Sequence, residues 1–324
     1  MQQLTLASGA EGFGGCAVIL WVVNELRQAC ATVARQARQV AVVDAVIDAY
    51  AAALPLDRAG VAEQEQPPGA TREDLAAFWL TLDAINFGSG WFPTLNKRDG
   101  RSGYNTVAAG LRERFAALGP WRAQQLSELD AAELAAVLGQ DPRHELMALF
   151  SESLRDLGTR VSGEHAGQFA DVADACAGSA VALALRLGGW RCFADCSRYG
   201  TIEIPFLKRA QIAAADLARA GVATFVDLDG LTMFADNLVP HVLRLDGVLR
   251  FAPQLVRRIE RGELIEHDSP EEVEIRACAL HAVELIVSAA AGTNAARVDQ
   301  LLWRRGQQPL YKSSPRHRTR CTAY

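Results

Sequence analysis

Apolar residues recur at helical spacing along most of the chain. From Asn24 to Leu54, Leu26, Cys30, Val33, Ala37 and Val40 keep a period near 3.6, which predicts one long helix. Thr71 and Asp74 form a T-x-x-D box ahead of Leu75, Phe78, Trp79, Leu82 and Ile85, so a helix starts there. Asp130-x-x-Glu133 opens a short helix that Gly139 can stop. Gly167 to Leu187 is Ala-rich and reads as helix, and Pro205 opens another that runs through Leu217. Ser269-Pro270-Glu271-Glu272 joins a capping Ser, a first-turn Pro and a Glu three residues on, ahead of a stripe of Val273, Ala277, Leu280, Val283 and Val287. Alternating patterns are nearly absent, and only Ile202 to Ile204 and Ala223 to Val226 are strand candidates. Asp57 to Gly69 reads as a loop. The prediction is an all-α, compact multi-helix globule with few or no short strands, and no repeat of solenoid length.

Gly12 to Val23 is the longest apolar run, at 12 residues too short for a membrane helix. No basic residue precedes it, so it makes a poor signal peptide. Residues 1–23 therefore read as a buried N-terminal segment or an extension from a start codon set too early, and residues 24–324 as a single helical domain.

Composition narrows the function. A chain of 324 residues buries enough surface to fold without metal or disulfide. Its 38 acids against 33 Lys/Arg give a net charge of −5, which argues against a broad duplex-DNA binder but leaves room for a local anion site. The seven cysteines are odd in number and accompany no secretory signal, so they read as reduced thiols of a cytoplasmic protein. Cys192 and Cys196 form a C-x3-C pair, yet no second pair or nearby His completes a tetrahedral metal set. The usual dinucleotide, P-loop, nucleophile-elbow and zincin motifs are missing from the sequence.

Four segments place polar groups where a helical core would not ask for them. In the first, Asp83 and Asn86 share a helix face ahead of a Gly/aromatic loop containing Phe87, Gly88, Gly90, Trp91 and Phe92. Aromatic faces and close backbone approach suit a heterocycle, whose polar edge a carboxylate and an amide could read. The plain alternative is a helix end with core aromatics. In the second, Lys208 and Arg209 stand at the first turns of a helix, where the dipole disfavours cations, so either an anion lies nearby or both reach solvent. In the third, Asp236 follows an apolar stretch containing Phe234; it is either a base or cation stabiliser, or an N-cap for a helix near Val239. In the fourth, Lys312, Arg316, Arg318 and Arg320, with His317, run to Tyr324 without an acid, as a phosphate-binding tail or a free basic one.

Taken together, WLTLDAINFGSGWFPTL (79–95), PFLKRAQIAAADL (205–217), LTMFADNLVP (231–240), EEVEIRACALHAVE (271–284) and HRTRCTAY (317–324) resemble the queuosine salvage proteins, queuosine 5′-phosphate N-glycosylase/hydrolases. The segments stand in the family's order from about Asn24 onward. Gly88-Ser89-Gly90 and Asn237-Leu238 depart from the commoner family residues at those places. The resemblance implies an all-helical fold distantly like the helix-hairpin-helix DNA glycosylases. It implies hydrolysis of queuosine 5′-monophosphate to queuine and ribose 5-phosphate, with no metal or organic cofactor. It implies that Lys208 and Asp236 match active-site positions, the aspartate being catalytic.

That chemistry suits these residues. Breaking a C–N glycosidic bond builds oxocarbenium character on the ribose, which a carboxylate such as Asp236 stabilises while it orients or deprotonates water. The 7-deazaguanine has carbon at position 7, so protonation there cannot activate it; Asp83 and Asn86 are the expected contacts to its guanine-like edge. Phe87, Trp91 and Phe234 are the expected apolar contacts, and Lys208, Arg316, His317, Arg318 and Arg320 the cations available to the 5′-phosphate. The expected partner is the small nucleotide alone, with no stable nucleic-acid partner and no membrane, and the chain is expected to act as a monomer. A DNA-repair type of base glycosylase and a binding protein that carries queuine or its nucleotide uncleaved are the competing readings.

Overall fold

The computed structural model describes residues 15–56, 69–98 and 100–324, with side chains from Asn24 onward. Most of the loop expected at 57–69, and residues 1–14 of the expected extension, lie outside the described residues. In chain order the elements are α1 (Gly15–Gln36), β1 (Val40–Val42), α2 (Ile47–Ala53), α3 (Arg72–Ala84), α4 (Gly103–Leu118), α5 (Ala123–Glu128), α6 (Ala131–Leu138) and α7 (Glu145–His165). There follow α8 (Ala170–Asp174), α9 (Ala180–Gly188), β2 (Ser197–Tyr199), β3 (Ile202–Ile204), α10 (Lys208–Arg219) and α11 (Val239–Leu245). The last are β4 (Leu249–Phe251), α12 (Pro253–Glu260), α13 (Pro270–Ala289), α14 (Ala295–Arg305) and α15 (Pro309–Ser313). The all-α expectation holds: the strands form only two antiparallel pairs, β1 with β4 and β2 with β3. No helix among the described residues is long and apolar enough to cross a membrane.

The caps read from sequence are built as expected. Thr71 accepts from Asp74 N–H and Asp74 answers to Thr71 N–H. Asp130 caps α6, and Gly139 ends it in the left-handed region at φ 66°. Ser269 caps α13 with Pro270 in its first turn.

Four elements differ from expectation. The long helix predicted from Asn24 to Leu54 stops at Gln36, because the β-branched run from Val40 pairs with Leu249–Phe251 instead. The Ala-rich stretch splits into α8 and α9 at Ala177 and Gly178, both at positive φ. The helix expected from Pro205 starts only at Lys208, after Leu207 turns through the left-handed region at φ 51°. Ala223 to Val226 is irregular chain, tied back by Val226 N–H to Gly178 O at 3.0 Å.

Two apolar cores result. One gathers α3 to α9 around Phe78, Phe87, Phe150 and Phe193, and includes the buried face of α10. The other surrounds α13 with α1, α2, β1, β4, α11 and α14. Glu274 of α13 is buried in the second because it has donors: Arg38, Gln39 and Val40 N–H at 3.0, 2.6 and 3.1 Å, and Tyr199 OH at 2.8 Å.

Candidate active site

A cavity of about 1840 Å³ opens where the two cores meet, walled by the end of α3, by α10, by residues 234–238, by α14 and by residues 314–318. That exceeds the usual range for a small-molecule pocket.

Lys208 stands at the first position of α10 on that wall and is almost fully buried. Its N–H donates to Asp195 Oδ2 at 2.9 Å, and its ammonium donates to Asn86 O at 2.9 Å and Asn86 Oδ1 at 3.3 Å. Burial pushes the ammonium pKa down from its ordinary value, against the opposing charge of Asp236. The solvent-exposed alternative for Lys208 and Arg209 is therefore excluded. Arg209 is 1% exposed and spends its donors on main-chain carbonyls of Ala84, Cys192, Thr322 and Ala323.

Asp236 is half-buried on the wall. Asp236 is not the N-cap of α11, which is Leu238, but it supports the chain just ahead of that helix. Oδ1 accepts from Leu238 N–H at 2.8 Å and Val239 N–H at 3.0 Å. Oδ2 has no hydrogen bond among the described residues.

Arg276 holds this arrangement together. Its Nε donates to Ala235 O at 2.9 Å, and its Nη2 reaches both oxygens of Asp195 at 2.8 and 2.7 Å. The guanidinium lies over the rings of Phe206 and Tyr324. Asp195 also receives Lys208 N–H, so one buried ion pair links the chain carrying Lys208 to the chain carrying Asp236. Glu274 and Arg276 thus belong to a polar support network.

At the α3 end, Trp79 and Ser89 line the wall, while their Nε1 and Oγ atoms are buried without a hydrogen-bond partner among the described residues. Asn86, Phe87 and Phe234 line it too. Asp83 does not: it is fully buried behind the wall, neither oxygen makes a hydrogen bond, and burial followed by the charge of Asp216 pushes its pKa well up. In its place the wall carries Asp216 of α10, raised to about 6 by burial against the ion pair it makes with Arg219 at 2.8 Å.

Trp91 is a second correction. It is buried away from the cavity, with its Nε1 donating to Glu145 Oε2 at 2.7 Å. The Gly-rich loop, expected to bring its backbone close to a heterocycle, is packed at Gly90 against the chain's own 317–324 segment. A Cβ on Gly90 would lie 2.6 Å from Thr319 O.

The basic segment is docked. Gly88 N–H donates to Tyr324 O at 3.2 Å, and Arg209 binds the Thr322 and Ala323 carbonyls. Arg316 and Arg318 reach the cavity wall; Arg318 also donates to Gly262 O at 3.0 Å, and Arg316 makes no ion pair among the described residues. His317 and Arg320 do not belong with them. His317 is buried off the wall, and burial lowers its pKa to about 3, so it is a neutral ring. Arg320 is exposed on another face, 3.6 Å from Glu145 Oε2 and near the Trp91 ring.

Two carboxylates of the wall were not legible as site residues, Asp216 and Asp299. Asp299 of α14 is 4% exposed, and its Oδ1 accepts from Phe234 N–H at 3.1 Å. Each interrupts an apolar helix stripe, among Ala213, Ala214 and Leu217 or between Val298 and Leu302, and that interruption was the available signal. Among the described residues, His267, Asp268 and Glu272 bring possible metal-ligand atoms within 4.8 Å of one another, away from the cavity. Burial lowers the His267 pKa, but the neighbouring Cys321 and Glu272 outweigh it and raise the ring to about 10, so the group reads as a charged His between carboxylates.

The family model described as queuosine salvage protein matches residues 66–324, and so spans every segment that walls the cavity. The chain belongs to the queuosine salvage protein family. Among its relatives, the queuosine 5′-phosphate N-glycosylase/hydrolase of Sphaerobacter thermophilus is 36% identical over 266 residues, 78% of this chain and 82% of that protein. The mouse protein of the same name is 34% identical over 139 residues, 38% of this chain and 41% of its own, and the Schizosaccharomyces pombe one 36% over 127 residues, 37% of each. Within this queuosine salvage protein, the stretches 205–217 and 231–240 therefore lie inside the matched region and also form adjoining walls of one cavity.

Proposed function

We propose that this chain hydrolyses the N-glycosidic bond of queuosine 5′-phosphate, releasing queuine for tRNA queuosine salvage. The family supports the reaction; the observation that carries the residue assignment is Asp236 on the cavity wall, with one oxygen fixed by two backbone N–H groups and the other left without a hydrogen bond among the described residues. As the C1′–N bond breaks, its electron pair leaves with the base and the water oxygen bonds C1′. The free oxygen of Asp236 faces the sugar cation and takes the proton that the water loses, and the departing nitrogen is protonated from solvent. Two backbone donors hold the carboxylate in place beforehand, so little reorganisation is needed when charge develops. Lys208 acts at the neighbouring wall through Asn86, fixing the turn that supports the base.

Phe87 and Phe234 provide apolar surface, and Asn86 provides a polar contact to the base. Asp216 takes the place first given to Asp83 as the acidic contact. Queuine also carries a secondary amine, protonated near neutral pH, which an acidic wall favours. Arg316 and Arg318 are assigned to the 5′-phosphate. Binding a group remote from the reacting bond positions the sugar.

Incubation with queuosine 5′-monophosphate, followed by mass spectrometry, tests the proposal. Free queuine and ribose 5-phosphate in equal amounts are expected, with lower kcat/KM on the unphosphorylated nucleoside. Tight binding that returns the nucleotide intact would establish a carrier instead.

A further inference from the structure

We infer that Asp299 holds the ribose hydroxyls of the nucleotide and makes the site selective for ribose over deoxyribose. The inference rests on the glycosidase reading above. Asp299 projects from α14 onto the same wall as Asp236 and is nearly inaccessible from outside the cavity. Its two oxygens have separate fates. Oδ1 is occupied by Phe234 N–H at 3.1 Å, which anchors the segment two residues before Asp236. Oδ2 makes no hydrogen bond among the described residues, and Asp299 lines the cavity. An acceptor left free on a cavity wall can take a ligand hydroxyl.

The position follows from covalent geometry. If Asp236 acts at C1′, the ribose lies against residues 234–236, and its 2′-hydroxyl stands one bond beyond the carbon adjoining the reacting centre. Asp299 is the carboxyl group held against that segment. The ammonium of Lys208 is committed to Asn86 and does not compete for the place. Burial, then the charge of Asp236, raises the Asp299 pKa well above its ordinary value. A carboxylate oxygen accepts from a hydroxyl of the diol, and a protonated carboxyl can also donate to one.

The test compares kcat/KM for queuosine 5′-monophosphate and its 2′-deoxy analogue in the wild type and in Asp299→Ala. A 2′-deoxy sugar forms its cation more readily, so chemistry alone favours the analogue. The wild type is expected to prefer the ribonucleotide by about 100-fold or more, since a site built around a hydroxyl rejects ligands lacking it. Asp299→Ala is expected to reduce the preference to about threefold or invert it. A residue that only props Phe234 would slow both substrates alike; an unchanged preference in Asp299→Ala overturns the inference.

Should Asp299→Ala not fold, Asp299→Asn keeps an acceptor for Phe234 N–H, and its preference is expected to fall by about tenfold. An Asn variant that folds and retains the full preference also overturns the inference. Calorimetric binding of the two nucleotides in an Asp236→Asn background separates the two proposals. Tighter ribonucleotide binding that depends on Asp299, in a wild type that cleaves neither compound, would keep the hydroxyl contact and discard the hydrolysis. Equal binding of both nucleotides would discard the contact alone.

Discussion

The proposed reaction gives Asp236 two duties that substitution can separate. The Asn side chain keeps an oxygen for Leu238 and Val239 N–H but loses the charge. Asp236→Asn is therefore expected to lower kcat by about 1000-fold while leaving the melting temperature nearly unchanged. Asp236→Ala should lose the activity and, in addition, about 1 kcal/mol of stability from the missing backbone hydrogen bonds. Turnover in the Asn variant near that of the wild type would remove the catalytic assignment. That Asp236 and Lys208 share a cavity wall was legible because a charged residue amid apolar neighbours is a local, readable anomaly. His317 was misread because its neutrality comes from the burial of a folded-down segment, which no neighbouring residue announces. Asp83 was misread in a different way: a helix face can be counted, but whether that face borders a cavity or lies one layer beneath it depends on α10.

Element by element, helix ends were the most legible part of the fold, since capping is a contact within four residues. Thr71, Asp130 and Ser269 each state a start in the sequence and each caps a helix. The β1 strand was hidden because Val40 to Val42 pairs with residues 249–251, far along the chain, and keeps a helix-compatible apolar content. The docked segment 317–324 was half legible: its charge was visible, its seat was not. Gly90 is the seat, with no room for a side chain against Thr319. Gly90→Val is expected to lift that segment, lower the melting temperature by several degrees, and raise KM for the phosphorylated substrate more than for the nucleoside, because Arg316 and Arg318 move with it. Equal KM changes for both substrates would detach the segment from phosphate binding.

Across the whole molecule, the site lies between two cores, so its polar groups are buried on behalf of both. Burial holds His317 and His241 neutral, with pKa values lowered to about 3 and about 4. The unfolded chain protonates them near pH 6.5, so their contribution is complete above that pH and is lost as pH falls toward 4 and 3. The raised acids Asp83, Asp216 and Asp299 act in the opposite sense, because the fold retains protons that the unfolded chain releases. The histidine effect is thus read as a difference. His317→Gln should gain on the wild type by up to about 1.4 kcal/mol per pH unit below 6.5, measured from urea midpoints. A constant gap between pH 7 and pH 5 would mean that His317 is not held neutral by the fold.

Lys97, Lys208 and Lys312 are the lysines of this chain. The first and last are exposed, whereas the amine of Lys208 is pressed against Asn86 at the seam of the two cores. An acylating reagent would mark the exposed pair at once and Lys208 only during moments when the seam parts. Its slow labelling is thus a built-in clock for the breathing of the pocket, and a nucleotide seated there would stop it.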